Sequence, residues 1–135
     1  MFSHVFIGVG DFARAFAFYE RLLAVLGIPL RFHEPAQQWA GWQTPGSLRP
    51  LLVLGRPYDG APHEPGNGQM VAFECTSRAQ VEAAWRTALA EGARDEGAPG
   101  LRPHYHAHYY GAYFRDPDGN KLCVVCHAAP PRDPP

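Results

Sequence analysis

The side chains in this chain that could ligate, move protons or line a cleft are sorted by their spacing. His104, His106 and His108 alternate, so on an extended strand they would share one face as a zinc comb. Neighbouring members would then stand ~7 Å apart, too far for all three to reach one ion at ~2 Å without a bulge. The segment therefore reads as an aromatic and polar loop over a cleft mouth. Arg102, just before it, offers a planar fork suited to a carboxylate or phosphate, with an ion pair to Asp95 or Glu96 as the equal alternative. Cys123 and Cys126 have Cys-x-x-Cys spacing, but an odd offset on a strand points them to opposite faces, which argues against a redox pair. Cys75 and Cys126 read as small buried hydrophobes, and three cysteines make neither a disulfide framework nor a paired zinc motif. Glu74, on a strand, is the candidate base. Trp39 and Trp42 are three apart on a strand and face opposite ways, with Trp42 taken as the cleft-lining member.

The elements that must position these groups fall into two similar halves. His4–Val9 is a strand signal, and Asp11 is the N-cap of a helix whose apolar residues Phe12, Ala15, Phe16, Tyr19, Leu22, Leu23 and Leu26 recur at three and four residues. Gly27 and Pro29 end that helix. Short strands follow at Leu30–His33, Gln38–Gln43 and Leu51–Leu54. A stretch punctuated by Pro and Gly, Arg56 to Gly68, then connects the halves. The plan repeats: a strand at Gln69–Cys75, then a helix capped by Thr76 or Ser77 with Gln80 completing a capping box. A short strand at Ala93–Glu96, a loop with Gly97, Pro99 and Gly100, and a hairpin complete the second half. In the hairpin Tyr109–Arg115 and Lys121–His127 flank the turn Asp116-Pro117-Asp118-Gly119-Asn120.

The reading is an α+β fold: two paired βαβββ modules, residues 1–63 and 64–127, form a curved half-open mixed sheet around a central cleft, with the helices outside. A Pro-rich tail over 128–135 reads as disordered. One module of about sixty residues would bury too little surface to stand alone.

Net charge is −1 with no basic block, which argues against nucleic acid and anionic membrane as partners. No run reaches the ~18 apolar residues of a membrane span, and the N-terminal residues lack the basic start and apolar run of a secretory leader. A cytoplasmic location is the expectation.

The opening His4, the start of the second module at Gln69–Cys75, the segment Pro99–Tyr105 and above all Tyr109–Lys121 with its Asp-Pro-Asp-Gly-Asn turn resemble the vicinal oxygen chelate superfamily. This is the glyoxalase, bleomycin-resistance and extradiol-dioxygenase group. The resemblance spans residues 2 to 127. It implies paired βαβββ modules, frequent homodimers and a divalent metal held by the first and fourth strands of each module. Carried across by position, His4 matches the first-strand ligand of module one. Its counterpart in module two falls on Met70, or on Gln69 after a one-residue slip. The fourth-strand position of module two, usually Glu, is Cys123, and that of module one lies in Leu51–Leu54, which offers no donor.

His4 and Cys123 with Met70 would suit only Zn²⁺ or Cu(I), and zinc normally takes at least three strong protein ligands. The resemblance also puts Arg102, His104, Tyr105 and Tyr109 near the substrate opening. Two functions follow as expectations. The first is a glyoxalase- or bleomycin-resistance-like protein with a degenerate metal site that binds a small aromatic or oxygenated ligand. The alternative is a divalent-metal-dependent lyase or isomerase of the lactoylglutathione lyase type, or a dioxygenase. The two-His, one-carboxylate set that an extradiol oxygenase needs is missing from the expected places.

Overall fold

A computed structural model describes residues 1–132. Ala128–Arg132 carry no helix or strand, and the rest of the tail expected to be disordered, 133–135, lies outside the described residues. The order is β1 (His4–Gly8), α1 (Phe12–Val25), β2 (Leu30–Glu34), a short 3₁₀ turn (Pro35–Gln37), β3 (Trp39–Gln43), β4 (Leu51–Gly55), β5 (Val71–Glu74), α2 (Arg78–Ala90), β6 (Arg94–Leu101), β7 (Tyr110–Arg115) and β8 (Lys121–Cys126). The strands form two four-stranded sheets, ordered β1-β4-β3-β2 and β5-β8-β7-β6. β1 pairs parallel with β4 and β5 with β8, and the other pairs are antiparallel. The fold is α+β with two open mixed sheets, as the sequence predicts.

Local chemistry explains the boundaries. Asp11 caps α1 by accepting from the Arg14 N–H at 3.1 Å. Gly27, at φ +71°, takes the left-handed turn that ends it, and the Ile28 N–H reaches back to the Leu23 carbonyl at 2.9 Å. Ser77 caps α2 through the Gln80 N–H, but the Gln80 side chain returns to Thr76 N at 2.8 Å, one residue earlier than a standard capping box. The sequence misplaces only one strand substantially. Gly97, Pro99 and Gly100, expected in a loop, belong to β6, an edge strand whose register shifts twice around those glycines. Glycine and proline mark bulged edges as readily as loops.

A single core fills the space between helices and sheets. It joins Phe18, Tyr19, Leu22 and Leu23 of α1 to Val81, Ala84 and Ala88 of α2, and both to strand residues of the two sheets. The two helices also pack against each other. Leu122, Val124 and Cys126 of β8 belong to this core, whereas Cys123 and Val125 do not. In β1, Ile7 belongs to it while His4 and Phe6 are exposed. Period two thus puts His4, Phe6 and Gly8 of β1, and Lys121, Cys123 and Val125 of β8, on the faces away from the helices.

The modules are locked by the turn between β7 and β8. Asp116 is 4% exposed, and its carboxylate accepts from the backbone of Asp118 and Asn120, from the Asn120 amide, and from the Tyr19 hydroxyl of α1 at 2.5 Å. Asp118 accepts from the Gly10 N–H at 2.9 Å, and the Asn120 amide donates to the Gly8 carbonyl at 2.9 Å. The turn of the second half therefore holds both the start of α1 and the end of β1.

Candidate functional site in the cleft

The helix-free face of the second sheet centres on a hydroxyl and thiol cluster. The Tyr109 and Tyr113 hydroxyls share a hydrogen bond of 2.8 Å, and the Tyr109 hydroxyl lies 3.6 Å from Cys123 Sγ. Cys123 is fully buried under them. Burial pushes its thiol up, and hydrogen bonding to Tyr109 and Tyr113, followed by the nearby cations Arg102 and Lys121, pulls it only partly back. Burial also raises Tyr109, with its hydrogen bond to Tyr113 adding to the effect. At neutral pH this patch presents neutral O–H and S–H groups.

Around the patch stands an aromatic wall. Tyr105 packs on Tyr109 at 4.8 Å between ring centres and on His104 at 4.3 Å. His127 and His106 stack at 5.1 Å, share a 2.8 Å hydrogen bond between ring nitrogens, and both meet Tyr109 edge-on. His104, His106 and His108 lie in a turn-rich loop rather than on a strand, so they do not form a comb. A hollow of about 260 Å³ opens beside the wall, lined by Glu96, Arg102, His104, Tyr105, Tyr113 and Lys121.

A second hollow of about 110 Å³ lies where the free edges of β1 and β5 converge, lined in part by Phe6, Gly8, His63, Met70 and Lys121. His63 is the residue here that the sequence does not signal. Its Nε2 lies 3.0 Å from Asn120 Oδ1, and Gly8 leaves the space the imidazole occupies: a Cβ there would stand 3.0 Å from its Nδ1. A lone histidine in a Pro- and Gly-rich connection gave no local signal.

The other expected residues separate. His4 is exposed on the cleft face of β1, with Nδ1 2.9 Å from the Ser3 hydroxyl. Met70 is exposed just before β5, and Glu74 is exposed at the end of β5 on the face opposite the buried Phe73. Trp42 is corrected from cleft to core: it is 2% exposed and packs on Phe16 and Tyr19, whereas Trp39, facing the other way, is exposed. Arg102 makes no pair with Asp95 or Glu96. Asp95 accepts from the Trp85 indole, and Glu96 pairs with Arg94 and Arg115.

The metal that the resemblance implies does not fit these donors. Among the described residues, no group of three or more His, Cys, Asp or Glu side chains converges as an ion would require. Of the two expected strong ligands, Cys123 is buried beneath Tyr109 and His4 is exposed, its Nδ1 beside the Ser3 hydroxyl.

Comparison with known proteins decides the family. The model of the Glyoxalase/Bleomycin resistance protein/Dioxygenase superfamily matches residues 1–124. The chain belongs to that superfamily. Among solved structures, a glyoxalase/bleomycin resistance protein from Albidiferax ferrireducens is 33% identical, with a TM-score of 0.81 over 95% of this chain and 99% of that one. A glyoxalase-related enzyme from Fulvimarina pelagi is 19% identical, with a TM-score of 0.72 over 93% and 87% of the two chains. A lactoylglutathione lyase from Agrobacterium tumefaciens is 21% identical, with a TM-score of 0.63 over 93% and 92%. At those lower identities the likeness concerns the fold. No curated protein matches the chain significantly. Among the described residues, no helix is long and apolar enough to cross a membrane.

Proposed function

We propose that this superfamily member is a cytoplasmic binding protein that takes a small aromatic or oxygenated molecule into its cleft without using a metal. The observation that carries the reading is the burial of Cys123 beneath Tyr109. At the position where the resemblance places an acidic ligand, the chain offers a neutral thiol under an aromatic lid. A site with aromatic walls and a few fixed polar groups suits a small organic ligand. The ligand would rest on Tyr105 and Tyr109, with His104 at the opening and Arg102 at one end.

The binder is proposed to be a homodimer. Phe6, Trp39 and Met70 are 50%, 41% and 45% exposed around the open sheets, an apolar surface that a second copy would cover.

A second reading is a metal-dependent lyase, isomerase or dioxygenase of the superfamily, favoured by the exposed His4 imidazole on the cleft face. Metal content separates the two. Protein purified without chelators should carry far less than one divalent metal per chain, unchanged in His4→Ala. Stoichiometric zinc that disappears in His4→Ala would support the enzyme instead.

A further inference from the structure

Two cations on the cleft face lack carboxylate partners among the described residues. Among the described residues, the ion pairs engage Arg14, Arg21, Arg94 and Arg115, and leave Arg102 and Lys121 out. Both hang over the same ring: the Arg102 guanidinium carbon and the Lys121 ammonium each lie 5.6 Å from the centre of Tyr113. Both line the 260 Å³ hollow.

Arg102 is seated rather than loose. One of its terminal nitrogens donates to the Ala98 carbonyl at 2.9 Å and the other to its neighbour Leu101 at 3.5 Å. The guanidinium lies in a cradle left by two glycines of β6. A Cβ on Gly100 would stand 3.0 Å from one terminal nitrogen, and one on Gly97 3.2 Å from the other. A guanidinium has five N–H donors, so such a seat leaves several for a ligand. Among the described residues, Glu96 is the one carboxylate lining the hollow, and its charge is taken up by Arg94 at 3.2 Å and Arg115 at 2.8 Å.

We propose that Arg102 and Lys121 form an anion subsite of the cleft, so that its ligand is a planar aromatic carboxylate or phosphate. The anionic head sits between the two cations beside Tyr113, and the ring lies against Tyr105 and His104. The assignment rests on the small-molecule reading above and names the ligand class within it. The glycines of β6 become positioning residues, because side chains there would push the guanidinium out of its seat.

The test is isothermal titration of three matched probes into the full chain: 2-naphthol, 2-naphthoate and 2-naphthyl phosphate. At least one anion should bind about tenfold or more tighter than the neutral probe, in keeping with charge-assisted hydrogen bonding. Its advantage should shrink as salt rises. The tighter of the two anions identifies the head group as carboxylate or phosphate. In Arg102→Gln and in Lys121→Met the ratio of anion to naphthol affinity should fall toward one, and Gly100→Ala should lower it in the same direction. Equal affinity for all three probes would overturn the anion subsite and leave the cleft reading standing. So would an anion preference that survives both substitutions. Failure of all three probes to bind would overturn the two together.

Discussion

The thiols show how environment sets chemistry one side chain at a time. Cys75, Cys123 and Cys126 are all free and buried. Burial raises Cys75 to about 12 and Cys123 in the same direction. Burial keeps a reagent away from all three, so native protein at pH 8 should leave them unmodified by a disulfide reagent over minutes, and three should react once it is denatured. The same burial gives an alkaline limit. A group whose folded pKa is raised stabilises the fold below its unfolded value and loses that contribution as pH rises. From about 9, the ordinary value for Cys75, towards 12, the Cys75 thiol alone should lower stability by up to about 1.4 kcal/mol per pH unit. The raised Tyr19 and Tyr109 act in the same direction. Melting temperatures across that range would check it, and a flat profile would contradict it. Opposite-facing Cys123 and Cys126 were legible from period two alone. Which of Trp39 and Trp42 faces the core was not, because alternation fixes that two residues face apart but not which side is covered.

Among the elements, the β7–β8 turn carries the strongest prediction. Its local shape was legible, because proline, aspartate, glycine and asparagine each act within the turn. Its larger role was not, since Asp116 meets Tyr19 across 97 residues of sequence. Asp116→Ala would strand the buried Tyr19 hydroxyl and the Asn120 amide, so it should cost about 2–4 kcal/mol of stability. Tyr19→Phe should cost about 1–2 kcal/mol, and the double variant less than the sum, because both changes remove one shared interaction. Chemical denaturation of the four proteins measures this; strict additivity would deny the coupling. Ser77→Ala removes only a helix cap and should cost about 1 kcal/mol. β6 was the element the sequence obscured, and its glycines are the ones that seat Arg102.

In the whole molecule, two open sheets share one core yet leave Phe6, Trp39 and Met70 exposed. Sedimentation at micromolar concentration should give a dimer, and Phe6→Asp should shift it to monomer with the fold intact. A monomeric wild type would remove the proposed partner. The duplicated plan was legible because hydrophobic periodicity repeats in each half. The cleft's contents were only partly so: Tyr109, Cys123 and Arg102 were found by position, while His63 comes from a connection without periodicity. The central claim is that the cleft binds an organic molecule through its tyrosine wall and without a metal. The most direct measurement is titration of 2-naphthol into wild type and Tyr109→Ala, both dialysed against EDTA and both folded by circular dichroism. One site per chain in the wild type, weakened at least about tenfold in the variant, is the predicted result. Binding that appears only after zinc is restored, or that Tyr109→Ala leaves unchanged, would contradict it.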